Sequence, residues 1–357
     1  MASIQKRPDG RWRARYRDAS GKEHARHFTR KVDAQRYLDE VTTAIGTGHY
    51  VDPTRARMTV QEWAERWIQT YSSRRPATVR QAQVQLRRIV ARFGARRLAD
   101  LRPSDIKAWT TEMASEGLKE STIYSNYRRL AQLLGDAAHD GLIPRSPCSR
   151  RTSPRQPPQR PFVPTTEQVF ALYDALSEHL RPAVLLGAFA GLRISEAVAL
   201  RADDVDFTRG VVAPAVQHGD TPLKSTASGA PVPIPQDLAL QLAGALQRSG
   251  GTTLATDAAG RATTPWAVRR AIAAAKASNP NIPGELRFHD LRHYYASLLI
   301  GSGLDIKVVQ TRLRHASATT TLNTYGHLWP DADESARAAV GQVLAARADS
   351  LRTQRIS

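Results

Sequence analysis

Four short runs in the second half of the chain carry side chains that could do chemistry on an anion. In Gly191-Leu192-Arg193-Ile194-Ser195-Glu196-Ala197 a single arginine interrupts an apolar stretch that reads as one helix over Pro182–Leu200. A guanidinium in such surroundings needs a partner if it is buried, and Glu196, three residues on, shares its helical face. Taken alone, the pair reads most simply as a structural ion pair. In Thr221–Ile234 a lysine, Lys224, stands at a turn before a short Val-Pro-Ile strand. Lysine is rare here, at 8 against 43 arginines, but most loop lysines are merely solvated. In His289-Asp290-Leu291-Arg292-His293, residues 289, 292 and 293 fall on one helical face. Histidines at i and i+4 are a metal-ligand spacing. No glutamate lies between them, however, and the arginine would repel a cation, so an anion held by His289 and Arg292 suits the charges better. The fourth run, Leu313 to His327, places Tyr325 ten residues after His315, a separation that no helical or strand period explains.

In this order and within one domain, Arg…Lys…His-x-x-Arg…His…Tyr resembles the signature of the tyrosine recombinases of the phage-integrase kind, and GLRISE, HDLRH and TYGHL resemble its motifs closely. The resemblance implies that Arg193 and Arg292 are the catalytic arginines and Lys224 the lysine of a hairpin. His289 and His315 are the implied active-site histidines, Tyr325 the nucleophile, and Glu196 the supporting acid after the first arginine. Two positions depart from the pattern. Arg314 stands where glycine is usual, and Ala230 where many members carry an arginine. The chemistry fits the residue types. Two guanidiniums can fork onto the nonbridging oxygens of a phosphodiester and stabilise the charge that develops as it is attacked. A phenol has a pKa near 10, so it must lose its proton as it attacks. His289 is the expected base, His315 a donor to the phosphate and Lys224 the acid for the leaving 5′-oxygen. No metal or other cofactor is expected.

The elements that must position these groups follow from the rest of the chain. With 357 residues there is length for two or three domains, and 41% hydrophobic residues suffice for a core. The net charge of +18 points to a polyanionic partner. No apolar run reaches the ~20 residues of a membrane span, and the opening residues lack the apolar segment of a signal peptide. Nucleic acid is therefore favoured over a membrane surface. The one cysteine, Cys148, excludes an internal disulfide or a cysteine-based zinc cluster. It lies in a Pro/Ser/Arg stretch that suggests no ordered surroundings, and reads as incidental.

The expected fold class is mainly α with small β-sheets (α+β). Residues 1–50 form a small module in which Trp12–Arg17 alternates as a half-buried strand. Lys22–Phe28 returns as its hairpin partner. Thr29 is expected to cap a helix over Arg30–Ile45 whose apolar face is Val32, Tyr37, Leu38, Val41 and Ile45. Residues 58–143 read as four helices near Val60–Thr70, Ala77–Phe93, Pro103–Glu116 and Ser121–His139. Residues 144–164 read as an extended basic Pro-rich linker. Residues 165–345 form a mixed α/β domain and 346–357 a tail, and Asp331–Arg352 reads as an alanine-rich amphipathic helix leading from one into the other. Arg11, Arg13, Arg15 and Arg17 of the strand region and Arg87, Arg88, Arg128 and Arg129 of the helices are candidate DNA contacts. A solvated basic surface is the plain alternative.

By resemblance the three parts correspond to the arm-binding module, the core-binding domain and the catalytic domain of lambda-type integrases. The implied activity is site-specific cleavage and rejoining of DNA through a 3′-phosphotyrosine, integrating or excising a phage or other mobile element. The implied partners are double-stranded DNA at core and arm sites and three further copies in a homotetramer, with an excisionase and a host DNA-bending protein beside them. The implied location is the bacterial cytoplasm, on the nucleoid. Two other readings compete. A type IB topoisomerase would rejoin the same strand, which the arm-like module and linker argue against. A catalytically silent DNA-binding regulator would have no use for the tyrosine.

Overall fold

The computed structural model of the chain describes residues 2–18, 21–47, 50, 57–157, 161–223 and 225–329. Lys224, the expected tail helix Asp331–Arg352 and the tail 346–357 lie outside the described residues. The chain divides into two compact units, Met1–Pro158 and Gln159–Ser357.

The first unit opens with an antiparallel sheet of β1 (Ser3–Lys6), β2 (Trp12–Arg17) and β3 (Glu23–Phe28), in that order. Alternation along β2 buries Ala14 and Tyr16 and turns Arg13, Arg15 and Arg17 to the other face, each within 4.0 Å of Glu23. Helix α1 (Lys31–Gly46) covers the apolar face through Ala34 and Leu38. Its start differs from the expectation. Arg30, with extended backbone and no side-chain cap, precedes the helix, so Thr29 does not cap it. Val32 is 66% exposed, because two residues before Ala34 it lies roughly 200° round the helix.

The helical part holds α2 (Val60–Tyr71), α3 (Pro76–Phe93), α4 (Pro103–Ser115) and α5 (Glu120–His139). Thr59 and Glu62 close a capping box at the start of α2, and prolines open α3 and α4 where a missing N–H does no harm. Tryptophan indoles fix α2 to α5. Trp63 donates to the Leu133 carbonyl at 2.8 Å and Trp67 to the Asp136 carboxylate at 2.6 Å. The chain after α5 does not run free from residue 144. Leu142 and Ile143 are buried in the helical core and Cys148 packs against it. Tyr127 donates to the Ser149 carbonyl at 2.8 Å. Cys148 thus has ordered surroundings, and burial pushes its thiol up to about 12, which suits an inert residue.

In the second unit α6 (Thr166–Ala175) starts at a Thr165–Gln168 capping box. The stretch Pro182–Leu200 is not one helix. It divides into α7 (Arg181–Phe189) and the single turn α8 (Ile194–Ala197). Gly191 takes φ +61° between them, and a Cβ there would lie 2.6 Å from the Tyr295 ring. That backbone region favours glycine, so the break is built into the sequence. Short strands β4 (Val205–Asp206), β5 (Val211–Val212), β6 (Val216–Gln217), β7 (Thr221–Pro222) and β8 (Val232–Pro233) follow as a three-stranded sheet, β4-β5-β8, and a β6-β7 pair. Then come α9 (Gln236–Ser249), α10 (Pro265–Ser278), α11 (Phe288–Gly301), α12 (Ile306–Arg312) and α13 (Ala318–Tyr325). Leu185, Leu186, Leu291 and Phe288 belong to the main core. Tyr295, Ile300, Val309, Leu313 and Tyr325 form a second, smaller cluster.

Candidate active site

The helical break places the first arginine. Arg193 sits at the N-cap of α8, its side chain 27% exposed, with Nη1 donating to Glu196 Oε1 at 3.0 Å. Its backbone N–H donates to Glu196 Oε2, also at 3.0 Å. Glu196 is fully buried and takes a second cation: Arg314 Nη2 reaches Oε2 at 2.6 Å. These cations outweigh burial and hold its carboxyl below the usual range, although burial, the largest single influence, acts the other way.

Helix α11 carries the next group. Asp290 accepts from the Arg287 N–H at 2.7 Å and so caps its first turn. Arg292 is 1% exposed, and its guanidinium donates to the Gly191 and Leu313 carbonyls. It thereby ties together the break before α8 and the turn after α12. Burial first, then the neighbouring Arg193 and Arg314, push it down to about 9. It remains charged at neutral pH, in a site of three guanidiniums and one carboxylate, and an incoming anion would relieve that imbalance.

Tyr325 ends α13 and is 1% exposed. Its hydroxyl meets His293 Nδ1 at 2.6 Å, and the His315 ring lies parallel to its own at 6.4 Å. His315 Nδ1 pairs with Thr321 Oγ1 at 2.9 Å, which leaves its other nitrogen for a substrate. Burial raises the phenol to about 12, with Arg292 and Arg193 pulling the other way. Burial, then His289, Arg292 and His315, lower His293 to about 3. His315 falls to about 4, through burial and then Arg292 and Arg193. Both imidazoles are neutral at pH 7.

The described hydrogen bond of the phenol is to His293, whereas the expected base is His289. His289 is exposed and makes an edge-to-face contact with His293 at 4.8 Å, while His293 makes the hydrogen bond. The signal for His293 was present in the sequence, since it shares the helical face of His289 and Arg292, but its spacing had suggested only a metal pair. A cleft of about 560 Å³ opens beside Arg193 and His289, and Gln217, Arg269, Lys276 and Arg287 also line it. The structure brings Arg193, Glu196, Arg292, His315 and Tyr325 together, and Lys224 lies outside the described residues.

The expected DNA-contact arginines divide. Arg11, Arg17, Arg87 and Arg128 are exposed. Arg88 pairs with Glu116 at 2.5 Å. Arg129 lies over the Trp67 and Tyr71 rings at 5.6 and 5.0 Å and donates to Gln85 at 2.9 Å. Arg129 therefore packs its own helices.

Residues 164–331 match the phage integrase family, and residues 2–47 match the phage integrase N-terminal domain. A protein described as the prophage phiRv2 integrase of Mycobacterium tuberculosis is 25% identical over 344 residues, covering 89% of each chain. The Tn1549 transposon integrase, solved with transposon right end DNA, aligns at TM-score 0.68 and 22% identity over 80% of this chain and 100% of that one. Lambda integrase, solved as a tetramer bound to a Holliday junction, aligns at TM-score 0.59 and 20% identity over 88% of this chain and 96% of that one.

Proposed function

The chain belongs to the phage integrase family of tyrosine recombinases, and on that premise we propose that it cleaves and rejoins DNA at specific sites with Tyr325 as its nucleophile. The observation that carries this reading is the convergence of Arg193, Arg292, His293 and His315 on a buried tyrosine beside a cationic cleft.

The scissile phosphate would enter at the cleft, with its nonbridging oxygens on Arg193 and Arg292. Guanidiniums aimed at developing charge are worth ~10²–10³ in rate for each donor. Tyr325 Oη forms a bond to phosphorus as its proton passes to His293, with His289 behind it. The bond from phosphorus to the 5′-oxygen breaks, and that oxygen takes a proton from Lys224 to become a hydroxyl. His315 donates to the phosphate. The products are a 3′-phosphotyrosine and a free 5′-hydroxyl. The covalent link conserves the bond, so the hydroxyl of a partner strand reverses the step without ATP.

The phenol is buried and hydrogen-bonded to His293, so it has to be uncovered to reach a phosphate. Two duplexes exchanging strands need four such sites, and a homotetramer on core-site DNA is the assembly this reading requires. Residues 1–50 would hold arm sites and residues 58–143 core sites, with residues 144–164 joining them to the catalytic domain 165–345. An excisionase and a host bending protein would set direction and DNA geometry.

DNA trapped covalently on the wild-type protein supplies the site sequence for the test. Plasmids carrying one or two copies are then incubated with the protein in excess EDTA. Strand exchange between two copies, undiminished by the chelator, is expected. Relaxation of supercoils without exchange would favour a topoisomerase, and loss of cleavage restored by a divalent ion would contradict the arginine mechanism.

A further inference from the structure

Arg314 is a costly residue to keep where it is. It adopts φ +54°, one of two non-glycine residues with positive φ among those described. That left-handed backbone is strained for an L-residue other than glycine. Its side chain is fully buried, and its Nε has no partner among the described residues. A position of this kind is retained only when the surrounding contacts over-determine it. Those contacts are Glu196 Oε2 at 2.6 Å and the Ser228 carbonyl, also at 2.6 Å.

The neighbours of Arg314 show what the turn does. The Leu313 carbonyl accepts from Arg292, and His315 lies parallel to Tyr325. Gln310 closes the turn, accepting from the His315 N–H at 3.0 Å and donating to its carbonyl at 3.1 Å. Three consecutive residues therefore each reach a different part of the site. The reach of Arg314 is to Glu196. That carboxylate holds Arg193 through Nη1 alone among the guanidinium nitrogens. Its second oxygen, which a bidentate carboxylate–arginine pair would use, is occupied by Arg314 and the Arg193 backbone N–H.

We propose that Arg314 is a positioning residue that holds Glu196 away from a bidentate pair with Arg193, so that the Arg193 fork stays open for the phosphate. The inference rests on the recombinase reading. Without the Arg314 guanidinium, Glu196 would be a buried carboxylate ion-paired with Arg193 alone. It would close onto Arg193 and compete with DNA for the nitrogens that should meet the phosphate.

The test measures formation of the covalent adduct on a nicked duplex oligonucleotide carrying the sequence recovered by trapping. Wild type is compared with Arg314→Gly and with Arg314→Gly/Glu196→Gln, all checked for folding by thermal melting. Glycine suits φ +54°, so the single variant should fold. It should cleave about 10²-fold more slowly, the size of loss a small misplacement brings. The added glutamine has no charge with which to capture Arg193 and should recover roughly tenfold or more of the rate. A stabilising role alone would give no such recovery. A single variant as fast as wild type, or a double variant no faster than the single, overturns the inference. If the glycine variant does not fold, Arg314→Asn, uncharged and tolerant of this φ, is compared with Arg314→Asn/Glu196→Gln by the same criterion. Loss of fold in both makes the guanidinium a stabilising element and also overturns the inference. Absence of adduct from the wild type would overturn the recombinase reading itself, and this inference with it.

Discussion

Tyr325 and His293 meet across one short hydrogen bond, with their proton affinities driven apart by the same burial, the phenol to about 12 and the imidazole to about 3. The shared proton therefore rests on the tyrosine rather than on the imidazole. This has a consequence for stability. His293 and His315 fold with pKa values near 3 and 4, below the ordinary 6.5. Between those values and 6.5 the unfolded chain binds protons that the folded one does not, so stability falls as pH drops through that window. The melting temperature should decline from pH 7 to pH 4.5, and a His293→Asn/His315→Asn variant should show a shallower decline. Parallel curves for the two proteins would mean that neither histidine is held neutral. At this scale the grouping of the arginines, His315 and Tyr325 is legible only through the family resemblance of their order, since each alone reads as an ion pair or an unexplained spacing. The His293 contact was not legible, because neighbouring polar residues on one helical face look alike until the tyrosine is brought to one of them.

The helical break at Gly191 does more to build the site than any strand. It ends α7, puts Arg193 at a helix start and offers its carbonyl to Arg292. Gly191→Ala should be strongly destabilising. Left-handed backbone costs roughly 1–2 kcal/mol, and displacing the Tyr295 ring adds about 1–3 kcal/mol. Denaturant unfolding of the variant would measure this, and a loss under 0.5 kcal/mol would show that the ring and backbone adjust freely. Read from sequence, Pro182–Leu200 passes for one helix, since its apolar period runs through the glycine and a lone glycine is tolerated in helices. The four helices of residues 58–143 were legible almost to their ends, because capping threonine, opening prolines and apolar period all agree there. The packed chain around Cys148 was not, since proline, serine and arginine advertise an extended linker whether or not a buried tyrosine such as Tyr127 collects one of its carbonyls.

For the whole molecule, a charge of +18 over 357 residues makes DNA association strongly salt-dependent. The module at 2–47 has its own small core of Ala14, Tyr16, Ala34 and Leu38 and presents a separate arginine face. If it holds arm sites, it raises the effective concentration of the catalytic domain at a core site without adding core contacts. Deleting residues 1–50 should leave cleavage of a nicked core-site duplex within about threefold of wild type, by the reasoning that independent sites do not couple. Integration into a full attachment site should be lost. Integration at the wild-type level by the truncated protein would reduce the module to a solvated basic hairpin. The charge and the module were legible in composition and alternation, whereas the arm sequence it would read has no counterpart in residue pattern.

Strand exchange by this route turns on a bond between the Tyr325 hydroxyl and a DNA phosphate. The most direct measurement traps the protein on nicked core-site DNA, digests both, and identifies the nucleotide-bearing peptide by mass spectrometry, with Tyr325→Phe as the control. The expected result is a phosphonucleotide on Tyr325 and a variant that still shifts the DNA in a native gel but leaves no DNA-linked band under denaturing conditions. A DNA-linked species from Tyr325→Phe, or an adduct on any other residue, would contradict it.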